Sequence, residues 1–243
     1  MSIDQERSEI LIGQEGIVRL AKKHVMVVGL GGVGGYAAEA IARAGVGRMT
    51  IVDHDLVAPS NCNRQLLALQ STIGLPKSEV MSKRLLDINP DLQLESNNNF
   101  ITPDNASELI AGKQTDYLLD CIDSIACKAA LVAACQKQGV PVASALGAGG
   151  RMDVTRAKIS TLIKTEVCPL AREMRGQMRK LGASLDYPVV YSDEPPVKGL
   201  PHQPIDGGIP GRPRAVNGSI SYLPGLFGLM LAGFVIQQLI QFE

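Results

Sequence analysis

Apolar positions along this chain follow two alternating rhythms. The stretch "HVMVVG" (24–29) is a largely apolar run closed by a glycine, the pattern of a strand buried on both faces. A glycine cluster then predicts a turn, Tyr36 to Ala44 a helix of small residues, and "MTIVD" (49–53) a second strand. The stretch "KSEVMSKRLLDINPD" (77–91) has helical periodicity that stops at Asn89-Pro90. After it, "LQLESNNNF" (92–100) reads as a strand and "NASELIAG" (105–112) as a helix closed by glycine. The alternation continues with "DYLLDCID" (116–123) as a buried strand, Ala126 to Gln138 as an amphipathic helix, and "VPVASALGAGG" (140–150) as a strand running into a glycine-rich loop.

Strands separated by helices predict an α/β fold with a doubly wound, largely parallel, Rossmann-like sheet. Its ligand is expected at the carboxyl ends of the strands. From Arg151 the rhythm changes to short strand candidates around the helix "CPLAREMRGQMRK" (168–180), a mixed C-terminal extension. Proline and glycine dominate 195–213, which predicts a mobile crossing loop over about 193–215. Near the end, Leu226 to Ile236 is wholly apolar if glycine is counted. Eleven residues are too few to span a bilayer, so a buried helix or subunit contact is expected, with a membrane-surface role as the minor alternative.

Composition narrows the chemistry. Lys plus Arg and Asp plus Glu balance at 24 each, so any nucleic-acid partner must be met by a local basic patch. Five cysteines, at 62, 121, 127, 135 and 168, form no C-x-x-C pair, which speaks against zinc and fits a reducing compartment. The polar start "MSIDQERSEI" does not read as a signal peptide, and a cytoplasmic location is expected.

The glycines at 29, 31, 32 and 34 satisfy G-x-G-x-x-G between a strand and a helix. They allow a tight turn and close approach of backbone N–H groups to phosphate. Asp53 stands where a ribose-binding carboxylate is expected. A dehydrogenase has no use for the residues that follow: Asp55, Asn61, Arg64, Gln65, and Lys77 at the next helix start. Asp123 closes the strand in "DCID", with Ser124 after it. Two cations and a carboxylate are equipment for a triphosphate, Arg64 and Lys77 neutralising charge and Asp123 placing Mg²⁺. Taken singly, Arg64 and Lys77 also read as surface cations, Asp123 as a helix N-cap, and Asn61 and Asn63 as turn residues.

Together the stretches "GLGGVGGYAAEAIARAGVGRMTIVDHDLVAPSNCNRQ", "GLPKSEVMSKRLLDINP" and "LLDCIDS" resemble the adenylating family that activates ubiquitin, molybdopterin synthase and the thiamine sulfur carrier. The resemblance implies ATP cleavage at the α-phosphate. It puts Asp53 and Asp55 on the ribose and metal side, Asn61, Arg64, Gln65 and Lys77 on the phosphates, and Asp123 on the metal. Arg7, in "RSEILIG", is similar to the arginine that reaches a neighbouring subunit's ATP site, which implies a homodimer.

Further stretches, "TEVCPLAREMRGQMRK", "VVYSDEPP" and "GSISYLPGLFGLMLAG", resemble the tRNA threonylcarbamoyladenosine dehydratase branch. That resemblance implies ATP-dependent activation of the threonylcarbamoyl carboxylate on adenosine 37 of tRNA, followed by ring closure with formal loss of water. Some members of that branch carry a cysteine in the C-terminal crossing, where this chain has Asn217 and Gly218. Candidate tRNA contacts are Arg172, Arg175, Arg179 and Lys180 at helical spacing, with Lys198, His202, Arg212 and Arg214 on the crossing loop. A monovalent cation, and a sulfurtransferase or sulfur-acceptor partner, stay open. The organisation expected is one adenylating domain, residues 1–150 holding ATP and 151–243 holding substrate and the dimer contact. The rivals are an activator of a small diglycine-tailed carrier, a dehydrogenase and a nucleotide-binding scaffold.

Overall fold

The computed structural model describes residues 3–200 and 217–241. The strands are β1 (His24–Val28), β2 (Arg48–Val52), β3 (Gln93–Asn97), β4 (Tyr117–Asp120), β5 (Val142–Ala145), β6 (Ala157–Thr161) and β7 (Pro188–Ser192). The helices are α1 (Glu6–Leu20), α2 (Gly34–Arg43), α3 (Lys77–Ile88), α4 (Ala106–Ile110), α5 (Ile125–Gln138), α6 (Pro169–Lys180) and α7 (Leu223–Ile240). Among the described residues the strands form one sheet in the order β3-β2-β1-β4-β5-β7-β6. All neighbours are parallel except β6, which runs antiparallel to β7 at the edge.

Burial follows the pleat, because successive side chains leave opposite faces of a strand. Val25 and Val27 face a core shared with α2, α3 and α7, whereas Met26 and Val28 face one shared with α4, α5 and α6. β3 is half exposed, as suits an edge strand. The chain order reverses where β1 lies between β2 and β4, and the carboxyl ends of the strands at such a reversal are where a doubly wound sheet takes its ligand.

The apolar segment near the C-terminus lies inside α7. This helix has a mean hydropathy of 1.8 and is long and apolar enough to cross a membrane, yet half of it is buried within the protein. Leu223, Phe227, Leu231 and Val235 enter the core beside α2, and a Cβ on Gly228 would overlap the Val33 carbonyl oxygen. One side of α7 is thus packed in the core, while Leu229 on the other is 51% exposed, so the buried helix and the subunit contact expected from the sequence both stay open. The part of the crossing loop over 201–216, with His202, Arg212 and Arg214, lies outside the described residues.

His24 opens β1 at the end of the sheet away from the strand carboxyl ends. Its Nδ1 is 2.9 Å from the Lys113 carbonyl oxygen, which can only accept, so Nδ1 carries the proton and Nε2, 2.9 Å from Thr50 Oγ1, accepts. Burial holds its pKa below the ordinary 6.5, against the Lys113 bond, which raises it. A depressed histidine binds more protons unfolded than folded. Its contribution is therefore complete above pH 6.5 and is lost as pH falls from there toward the folded value. The melting temperature is expected to fall between about pH 7.5 and pH 5.5, with a shallower slope in His24→Asn; equal slopes would refute this.

Candidate nucleotide site at the strand ends

Each part of the glycine turn is fixed by a neighbour. Gly29 has φ of +90°, a left-handed conformation that a side chain disfavours, and a Cβ there would lie 2.9 Å from the Cys121 carbonyl. A Cβ on Gly34 would overlap the Gly29 carbonyl oxygen, which is how α2 starts so close beneath the turn. Asp53, the residue after β2, holds this turn from below. Its Oδ2 accepts from Leu30 N at 2.6 Å and its Oδ1 from Asp55 N at 2.9 Å. Each carboxylate oxygen keeps a further lone pair, so this bracing role leaves acceptor capacity toward a ribose.

The segment after Asp53 doubles back on itself. Leu56 and Pro76 form an antiparallel bridge, Val57 N donates to Leu75 O, and Lys77 N donates to Asp55 O. Closure of this loop places Lys77 at the first position of α3, as the sequence predicts. The lysine is only 4% exposed, and its Nζ lies 2.7 Å from Asp55 Oδ2. His54 Nε2 sits 3.2 Å from the other oxygen of Asp55, and its ring meets Phe100 edge to face at 4.5 Å.

Within the closed loop, Asn61 Oδ1 accepts from Ala58 N, and Asn61 O receives the N–H groups of Arg64 and Gln65. That turn brings Arg64 and Gln65 against the glycines. The Cγ of Arg64 is 3.4 Å from a Cβ position on Gly32, and the Gln65 amide nitrogen is 3.7 Å from one on Gly31. Arg64 Nη1 donates to Ser60 O and Asn63 Oδ1, while the buried Gln65 Oε1 has no hydrogen-bond partner among the described residues.

Asp123 departs from expectation in its placement. β4 ends at Asp120, so Asp123 sits three residues beyond the strand, in the loop before α5. It is not the N-cap either; Ser124 holds that position, and its hydroxyl lies 3.2 Å from Cys127 Sγ. The hydrogen bond from Cys121 N to Val28 O carries the chain past Gly29 before it reaches Asp123, whose side chain is exposed and has no hydrogen-bond partner among the described residues. An exposed carboxylate without a partner is a fitting oxygen ligand for Mg²⁺, a cation that takes one or two carboxylates and fills its other positions with phosphate oxygens and water.

Around the turn of Gly29, Gly31, Gly32 and Gly34 the structure thus brings Asp53, Arg64, Gln65 and the loop that runs from Cys121 to Asp123 and Ser124; Lys77 and Asp55 join through Asp53, and Asn61 through the main chain of Arg64 and Gln65. Arg7 stands apart, exposed on α1. The arginine stripe of α6 is divided: Arg172, Arg179 and Lys180 are exposed, whereas Arg175 turns inward and its Nη1 donates to Thr165 O at 3.0 Å. A helix period places Arg175 near the same face, but a side chain that follows α6's buried edge finds main-chain acceptors first. Cys127, Cys135 and Cys168 are buried and Cys121 partly so, and burial pushes the Cys121 and Cys135 thiols up to about 12.

Sequence reasoning missed the polar cluster under this loop. Lys128 on α5 and Asp120 at the end of β4 are fully buried with Nζ to Oδ2 at 2.8 Å, and Ser144 Oγ donates to the same oxygen at 2.6 Å. Burial raises the Asp120 pKa against the pull of Lys128. The only trace in the sequence is a lysine among the small apolar residues of "IACKAALV". Sequence reasoning also missed the clasp around residues 217–219. Gly150 N donates to Gly218 O, and Asn63 Nδ2 donates to Ser219 O, so this segment ties the second glycine loop to the loop of Arg64.

A family model described as "ThiF family" matches residues 5–243. A tRNA threonylcarbamoyladenosine dehydratase of Bacillus subtilis is 36% identical over 97% of this chain and 94% of its own length. A crystal structure of the Escherichia coli tRNA N6-threonylcarbamoyladenosine dehydratase in complex with ATP superposes with a TM-score of 0.85 at 32% identity, covering 96% of this chain and 92% of that one. The likeness to the sulfur carrier protein ThiS adenylyltransferase of Escherichia coli, 38% identity, reaches only 59% of this chain and 57% of that protein. Because the family match runs through the glycine turn, the loop of Arg64 and the C-terminal helix alike, the chain belongs to the ThiF family.

Proposed function

We propose that this chain is an ATP-dependent tRNA threonylcarbamoyladenosine dehydratase, activating the carboxylate of the modified adenosine and closing it into a ring. The observation that carries this reading is the near full-length likeness to dehydratases of that name, one of them solved with ATP. A carboxylate is a poor electrophile until one oxygen carries a good leaving group. Once activated, it needs only a nucleophile held close, and the substrate supplies its own. No protein thiol is required, which fits Asn217 and Gly218 in the crossing segment.

In this reading the glycine turn cradles the phosphates, and Arg64 and Lys77 stabilise charge as the phosphate chain breaks. Asp53 and Asp55 border the ribose, while Asn61, Gln65 and Ser124 complete the polar lining. Asp123 would hold Mg²⁺, which when bound offsets phosphate charge. We read the chain as one adenylating unit, residues 1–150 for ATP and 151–243 for substrate. Arg7 would complete a partner's site in a homodimer; in support, Ile10 and Leu11 of α1 are 80% and 85% exposed. Arg172, Arg179 and Lys180 would meet tRNA phosphates, and a cytoplasmic setting follows from that substrate.

The test is incubation of the protein with ATP, Mg²⁺ and tRNA carrying the threonylcarbamoyl group, followed by nucleoside mass analysis. The modified adenosine is expected to become lighter by one water, and an unchanged mass overturns the reading. The second reading is adenylation of a small sulfur-carrier protein, favoured by the relative of that activity. ATP–pyrophosphate exchange that responds to such a carrier and ignores tRNA would select it.

A further inference from the structure

Lys128 makes three polar contacts, and an ammonium has three protons to give. Besides the Asp120 carboxylate at 2.8 Å, its Nζ donates to the Asp120 carbonyl at 3.3 Å and to the Ile122 carbonyl at 3.0 Å. The two carbonyls flank Cys121 and end at the peptide that leads into Asp123. The acid is fixed in turn: Oδ2 takes the Ser144 hydroxyl from β5, and Oδ1 takes Ile122 N at 3.4 Å. The Ser144 hydroxyl also lies 3.4 Å from Tyr187 Oη, so the cluster reaches the start of β7.

A buried ion pair is weak support for stability, since well-packed apolar residues of similar volume often serve as well or better. The position of this pair is more informative. Among the described residues Asp123 has no side-chain partner, so the place from which its carboxylate projects is set by the main chain, and Lys128 pins that main chain. The same loop packs on the nucleotide turn, with the Cys121 carbonyl 2.9 Å from a Cβ position on Gly29. We propose that Lys128 is a positioning residue of the nucleotide site, whose ammonium clamps the 120 and 122 carbonyls and so aims Asp123 at the metal–triphosphate. It touches neither ATP nor metal. The proposal rests on the ATP reading of the site, because aiming Asp123 matters only if a metal–phosphate ligand arrives.

The experiment compares wild type with the double variant Asp120→Asn/Lys128→Met, which removes both charges together and leaves no lone buried ion. Ser144→Ala is the control, since it loosens the cluster and spares the carbonyl clamp. In the double variant, amide hydrogen exchange at 121–124, measured without ligand, is expected to speed up by about tenfold. The Mg²⁺ concentration for half-maximal ATP turnover is expected to rise by about tenfold or more, and Mn²⁺ affinity of the ATP-bound protein to fall in parallel. Ser144→Ala should lower the melting temperature and leave all three readings near wild type.

Unchanged exchange and Mg²⁺ dependence in the double variant would overturn the proposal. So would a Ser144→Ala variant that shifts them equally, for that is general loosening. A wild-type protein without ATP turnover would instead overturn the functional reading, while the exchange measurement still decides whether Lys128 clamps the loop.

Discussion

Lys77→Met is expected to lower ATP turnover by about 10²–10³-fold with little loss of stability. The lysine is almost wholly buried, and methionine can follow the same path with an unbranched apolar chain. Its partner Asp55 has a side chain 51% exposed, so water can solvate that carboxylate once the ammonium is gone. The pair costs little to break, but on the ATP reading proposed above a fixed positive charge near the phosphates disappears, and a preorganised charge in a sheltered site is worth far more than one in water. Pyrophosphate or phosphate release at saturating ATP, beside a thermal melt, reads both consequences. Turnover close to wild type would mean that Lys77 only pins the loop at Asp55.

Gly34→Ala is expected to damage fold and site together. The added Cβ would overlap the Gly29 carbonyl oxygen and lie 2.8 Å from the Gly29 carbonyl carbon, and main-chain atoms cannot swing away as a flexible side chain can. Either α2 moves off the turn or the turn opens. Overpacking of this kind costs about 1–3 kcal/mol, and both adjustments distort the turn that the ATP reading makes the phosphate cradle. A clear drop in melting temperature with at least a tenfold rise in the ATP Kd is expected. Gly35→Ala is the matched control one residue on. Its nearest neighbours would be Leu30 O at 3.5 Å and Leu66 Cβ at 3.7 Å, ordinary contacts, so it should be close to neutral. Equal behaviour of the two variants would show that backbone approach at Gly34 is not what joins α2 to the turn.

Much of the candidate site could be picked out in the sequence because it lies on the connections that follow strand ends. The run from Gly29 to Gln65 and the lysine after Pro76 stand on consecutive strand-to-helix junctions, and a parallel sheet brings such junctions to one edge. Asp123 was read from the sequence as a strand end and a candidate metal ligand, and the structure corrects the first of these. Three further residues beyond β4 are needed to pass the glycine turn, a path no periodicity describes. Arg175 and its neighbours in α6 carried a helical spacing, which says which side chains share a face but not whether that face meets solvent or the carbonyls of Thr165 and Leu162.

By itself the sequence determined the strand and helix order, the parallel sheet that this order requires, and the glycine turn with its acids and cations. Those follow from hydrophobic period and backbone sterics, which act over a few residues at a time. Only the tertiary structure decided that Asp53 braces the turn, that Lys77 is held by Asp55, and that Lys128 and Asp120 lie buried beneath the loop of Asp123. These depend on which polar atoms meet once the sheet has closed and water has left. The pairing of a buried charge is a property of three-dimensional neighbours that no local pattern along the chain encodes.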